Sequence, residues 1–266
     1  MKRSTATAIG LAATTFFAAH ESHAAPPYVT RPMTLPRHVF AGDAGIGLGH
    51  AEFGRGFTGG GLNLEGAFGI TETVEVGLRT GLRFGDDGRF SQADYYARTL
   101  WTETYGSNYA GFGANPEARV RWNFFTGDVV EVGLDWRLYL PFENNSRVGG
   151  MFGLPLAFHI GNSVRIDTGP YLPTLFYDPS IVLLTLPGYF WFQVSDKVWL
   201  GPMTSARFRL APTGGDRADL LIGFGLGVQV ASAVDLKTMI LFPAIDGNNG
   251  AQNFGAGFGV QFRIGE

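Results

Sequence analysis

The 266-residue chain contains no cysteine, so disulfides, thiolate metal sites and a lipid-anchoring cysteine are all excluded. Lysine is nearly as scarce: Lys2, Lys197 and Lys237 stand beside seventeen arginines. Charged residues make up 16% of the chain, well below the about one quarter of an ordinary soluble domain. Beyond residue 24 no uninterrupted apolar run approaches the roughly eighteen residues of a membrane helix. The nearest candidate, 181–192, carries Pro187 and Gly188. The formal net charge of −3 supplies no basic footprint for nucleic acid.

What is present in excess is glycine, 39 residues, and phenylalanine, 23 residues, set in a strict two-residue alternation. In VEVGLRTGLRF (74–84), Val74, Val76, Leu78, Leu82 and Phe84 share one parity, while Glu75, Arg79 and Arg83 share the other. Period two places successive side chains on opposite faces of a strand. The pattern predicts twelve strands, at 39–49, 61–70, 74–84, 118–124, 130–140, 152–160, 164–175, 182–194, 198–208, 220–230, 234–242 and 254–264. Most approach the roughly ten residues that a tilted strand needs to cross hydrocarbon. Links after even-numbered strands are tight turns, and those after odd-numbered strands are mostly longer.

These features predict an all-β fold, a transmembrane antiparallel up-and-down β-barrel of about twelve strands. Alternation alone also suits a soluble sandwich with its faces reversed. Phenylalanines decide between the two, because on the apolar parity they gather near strand ends. Phe84, Phe152, Phe208, Phe242 and Phe254 mark one rim, and Phe40, Phe68, Phe124, Phe192 and Phe262 the other, as aromatic girdles. Upstream, Lys2 and Arg3, an apolar stretch over 6–19 and the small residues Ser22 and Ala24 predict a cleavable secretory signal over 1–24. Residues 25–37, rich in proline, then form an extended periplasmic leader, and 38–266 the barrel.

Over about 39–264 the chain resembles the Gram-negative outer-membrane β-barrel proteins, porin-like in outline, on this architecture rather than on a family motif. The resemblance implies an outer-membrane location, lipid around the barrel, and the barrel-assembly machinery as partner. In that class the last strand alternates aromatics and ends in Phe or Trp. Phe254, Phe258, Val260 and Phe262 match, and the ending Ile264-Gly265-Glu266 departs from it.

On the polar parity lie the expected lumen-lining residues: Glu65, Glu75, Arg79, Arg83, Arg119, Arg121, Glu131, Asp135, Arg137, His159, Arg165, Asp167, Tyr171, Arg207, Asp235, Lys237 and Arg263. Opposite this charged wall, the glycines of 223–227, 255–259 and 45–49 predict a bare one. Two readings follow: a narrow passive channel whose field selects small polar or charged solutes, or a plugged structural or surface-binding barrel filled by its own ion pairs. Loop 85–116 carries Tyr95, Tyr96, Trp101, Tyr105 and Tyr109, candidates for a constriction, an external binding surface or a self-packed rim. A lipid hydrolase would need Ser, His and an orienting group on the rim. His50 has the lipid-facing parity with Glu52 nearby, but no serine joins it. No catalytic, cofactor or metal constellation emerges; Asp246 to Gly250 lacks the spacing of a calcium loop.

Overall fold

The computed structural model describes residues 25–51, 57–85, 116–140, 148–176, 180–211, 219–242, 245 and 254–265. Its strands are β1 (Phe40–Ala51), β2 (Phe57–Gly69), β3 (Val74–Gly85), β4 (Glu117–Thr126), β5 (Val130–Tyr139), β6 (Gly149–Gly153), β7 (Leu156–Ile160), β8 (Val164–Thr168), β9 (Tyr171–Leu175), β10 (Ile181–Ser195), β11 (Val198–Ala211), β12 (Asp219–Ala231), β13 (Val234–Phe242) and β14 (Phe254–Ile264). β6 and β7 are halves of one stave, and β8 and β9 halves of the next, so the wall has twelve staves. Each pairs antiparallel with its neighbours. The seam closes where β14 meets β1, from Phe40↔Ile264 to His50↔Phe254.

The alternation of the sequence becomes the inversion that a membrane demands. On β3, Leu78 is 65% exposed while the neighbouring Arg79 is 6% exposed. On β5, Trp136 is 50% exposed between Asp135 and Arg137, both 0%. Phe40, Phe68, Phe124, Phe152, Phe192, Phe208 and Phe254 all lie on the outer face as expected. Large exposed apolar residues ring the barrel, a surface suited to lipid and unsuited to water. No helix among the described residues is long and apolar enough to cross a membrane.

Links of two to four residues join β2–β3, β4–β5, β7–β8, β10–β11 and β12–β13 at one end, here the turn end. Both described chain ends emerge there too. At the other, loop end the links run from five to 31 residues.

Three details depart from the expected strands. The predicted sixth and seventh strands are each broken halfway, at Leu154-Pro155 and Gly169-Pro170. Proline brings no N–H to a ladder, and the gap is bridged instead by Leu154 N donating to Pro170 O, 2.9 Å, and Gly133 N to Pro155 O, 2.9 Å. Gly169 permits this with φ +129°, where any side chain would meet Leu154 O at 2.1 Å. The predicted fourth strand extends from Glu117 to Thr126 through a β-bulge, which leaves both Phe124 and Phe125 facing out.

The largest correction concerns the leader. Residues 25–37 do not extend freely from the barrel: they run inside its turn end, where a short 3-10 turn, Tyr28–Thr30, precedes an extended run. Val29, Arg31, Met33 and Thr34 are buried there. Pro26, Pro27, Pro32 and Pro36 keep so short a segment from forming a regular element of its own, and partners from the surrounding wall impose its path.

The exposed apolar face predicts a measurable asymmetry. Leu78→Arg should lower unfolding stability in lipid bilayers by about 2–4 kcal/mol, the cost of arginine on the lipid face at mid-membrane. Reversible urea titration of the refolded barrel reads this, and an unchanged midpoint would place Leu78 away from lipid.

Candidate functional site

The inner face joins most of the expected lumen residues into ionic chains that pass from strand to strand. Arg119 of β4 reaches Glu65 of β2 at 2.9 Å and Glu75 of β3 at 2.5 Å. Glu117 of β4 takes Arg79 of β3 at 2.5 Å and Arg137 of β5 at 3.1 Å. Arg137 continues to Asp135 at 2.9 Å, and Asp135 to Arg121 at 2.7 Å. Strand register makes this possible, because Arg79↔Glu117 and Arg121↔Asp135 are directly opposed pairs, and opposite charges facing across a ladder attract. These side chains are mostly under 10% exposed, where an unmatched charge would be costly.

Further round the ring, Glu131 pairs with His159 at 2.7 Å and also accepts from Asn123. Arg165 pairs with Asp167 at 2.7 Å, and Trp191 Nε1 donates to the same carboxylate at 3.1 Å. Lys237 meets Asp43 at 3.1 Å, and Arg263 meets Asp235 at 2.9 Å. Tyr171 is fully buried beside Gly153, and Arg207 lies buried on β11 in register with Thr185. The backbone of Arg83 pairs with Gly61; its side chain, like that of His50, and all of Tyr95, Tyr96, Trp101, Tyr105 and Tyr109 fall outside the described residues.

The wall expected to be bare is not empty throughout. Inward-facing Tyr189, Trp191, Trp199, Met203, Leu221, Met239 and Leu241 form one buried apolar cluster on β10 to β13. The glycines of β12 make room for it: a methyl on Gly227 would sit 2.1 Å from Trp199 Cζ2, and one on Gly225 2.8 Å from Trp191 Cη2. A charged wall therefore faces an aromatic one. Alternation hid this, since apolar side chains on the inner parity look like breaks in the pattern.

The turn end of this bore holds residues 25–36, here the strap. Tyr28 stacks on Trp199, centroids 4.6 Å apart and planes 3° from parallel, with the Arg31 guanidinium 5.5 Å from the Trp199 ring. Arg31 grips Asp235 through Nη1 at 2.5 Å and Nη2 at 3.2 Å. The strap backbone is held by wall side chains. Val29 N donates to Gln193 Oε1, 3.3 Å, and Val29 O contacts His159 Nδ1, 2.7 Å. Arg165 donates to Arg31 O, 2.7 Å, and Arg121 to Met33 O, 3.2 Å. Met33 N donates to Glu131, 3.0 Å, Leu35 N to Glu75, 2.9 Å, and Gln229 to Ala25 O, 3.1 Å.

Asn123, Gln193 and Gln229 are each the last inner-face residue in regular register before a β-bulge that leads into a tight turn. Sequence reading missed Arg31, Asp43, Glu117, Asn123, Gln193 and Gln229 as site residues. Parity alone marks Asp43, Asn123, Gln193 and Gln229 as inward, whereas Glu117 fell one residue outside the predicted strand.

No protein-family model and no curated protein matches the sequence. Solved structures do share its fold. The NanC porin in a rhombohedral crystal form superposes with a TM-score of 0.61 at 9% identity, over 84% of this chain and 100% of that one. The COG4313 outer membrane channel from Pseudomonas putida F1 gives 0.57 at 11% identity, over 88% and 99%. The KdgM porin gives 0.55 at 9% identity, over 85% and 99%. This chain thus has the fold of the outer-membrane porins, a closed barrel of twelve staves.

Breaking the central ion-pair chain gives a direct test of its weight. Asp135→Ala strands Arg121 and Arg137 without their shared carboxylate and should destabilise the barrel by about 3–5 kcal/mol, measured by denaturant unfolding in detergent. Loss below about 1 kcal/mol would mean that solvent, not Asp135, balances these arginines.

Proposed function

We propose that the chain is a narrow passive channel of the Gram-negative outer membrane, passing small polar or charged solutes, with lipid around its apolar belt. The observation that carries this reading is the ionic lining of the loop half of the bore. Arg79, Glu117, Arg137, Arg119 and Glu65 line the bore on the loop side of the strap, fixed by one another and aligned along one wall. Such a lining replaces part of a solute's hydration and sets a transverse field. The porin fold supports the same reading. In this orientation the turn end and the strap face the periplasm, as short turns do in outer-membrane barrels.

The expected secretory signal fits the same picture: cleavage after Ala24 leaves the amino group of Ala25 beside Ser232 O, which the Ala25 nitrogen contacts at 3.0 Å. N-terminal sequencing of protein from the envelope should then begin at Ala25. The alternating aromatics of β14 would present the strand to the assembly machinery.

A second reading has its own support. The strap occupies the turn end, which favours a plugged barrel with a structural or binding role. Planar bilayer recording separates the two. Purified protein should give discrete conductance steps, and their absence at every voltage would leave the plugged barrel. Among the ion-paired carboxylates described, Glu65 is the most open, with 17% of its side chain exposed. Glu65→Gln should shift the reversal potential toward anion preference, and Arg119→Gln toward cations.

A further inference from the structure

We propose that residues 25–36 are a removable plug: the turn-end half of the bore is a peptide-binding site occupied by the chain's own N-terminal segment, and the channel conducts fully when that segment leaves. The gating half of this statement rests on the channel reading above; the binding half does not.

The strap is docked rather than woven into the wall. Its described backbone bonds are Thr30 N to Pro27 O and Arg31 N to Tyr28 O within the segment, Val39 N to Pro36 O at its end and Ala25 N to Ser232 O in the turn after β12, and none pairs with a strand backbone. Wall side chains do the holding, from Glu75 on β3, Arg121 on β4, Glu131 on β5, His159 on β7, Arg165 on β8, Gln193 on β10 and Gln229 on β12. Anchors on seven strands spread around the ring require the segment to cross the bore. Pro26, Pro27, Pro32 and Pro36 remove four N–H donors and keep the strap from joining the sheet as another stave.

The decisive point is that the ionic wall is complete without the strap. Glu75 keeps Arg119, Arg121 keeps Asp135, Glu131 keeps His159 and Asn123, Arg165 keeps Asp167, and Asp235 keeps Arg263. Withdrawal therefore strands none of these buried charges, the outcome that makes broken ion pairs so costly. Arg31 is the one charged side chain of residues 25–36, and leaving returns it to water. A structural segment would be expected to supply countercharges that the wall lacks; Arg31 only duplicates Arg263 at Asp235.

The chain also marks where the strap ends. His38 has φ +65°, the only positive value at a non-glycine position among the described residues, and its N–H is fixed on Gly69 O at 2.8 Å. Beyond this corner β1 begins, so the strap can leave the bore while the barrel seam stays closed.

The test compares the mature chain with a variant lacking residues 26–35 and with a Val29→Cys, Gln193→Cys variant joined by a short reducible thiol crosslinker. The protein has no other cysteine, so the link forms only between strap and wall. In planar bilayers the deletion should raise conductance or open time several-fold. The crosslinked variant should stay closed until reductant restores ordinary steps. A synthetic peptide of residues 25–36 should bind the deleted barrel in detergent, measured by fluorescence anisotropy, and close it when added at the turn side. The same peptide with Arg31→Ala should bind about tenfold more weakly, as loss of one ion pair worth about 1.4 kcal/mol implies.

Crosslinked and deleted channels that conduct like the parent would overturn the plug. So would a peptide that fails to bind a deleted barrel whose unboiled form still migrates as folded. If the peptide binds but no variant conducts, the channel reading falls, and the gate falls with it.

Discussion

Lipid outside the barrel forces charge inside it, and charge inside is tolerable only when each group meets its opposite on the next strand. That pairing depends on register. Arg79 faces Glu117 and Arg121 faces Asp135 across adjacent ladders, and a one-residue slip would put the two members of each pair on opposite faces, one of them toward hydrocarbon. Much else in the molecule follows from this constraint: the loopward ionic lining, and the carboxylates and guanidinia that also hold the strap.

The bore is correspondingly two-sided. One wall is ionic and finely registered; the other is built from Trp191, Trp199 and Met203 packed onto glycines, with Tyr189 beside Trp191. The Tyr28 ring lies between the two at the turn end, stacked on Trp199 and within reach of the Arg165 guanidinium.

The barrel was legible because its main instruction is local. Alternation, rim phenylalanines and the short-long rhythm of connections are properties of neighbouring residues, and they located twelve staves with the tight turns gathered at one end. The inward parity of the ionic residues was legible for the same reason: Glu75, Arg79, Asp135 and Arg137 alternate with the exposed Leu78 and Trp136. What stayed hidden depends on distant partners. Arg31 finds Asp235 across 204 positions, and Arg165 reaches Arg31 O across 134, so nothing near residues 25–37 announces that they turn inward. Between these extremes stand Pro155 and Pro170. Their interruption of two strands was readable from residue type alone, and alternation on either side masked it.

The strap's position in the chain has a consequence for how the molecule comes together. It leaves the ribosome before any stave, yet its anchors lie on β3 through β12, with Asp235 on β13. Its binding site therefore does not exist until nearly every hairpin has been laid down. First made, the segment can complete its contacts only once the strands that carry its partners are in place.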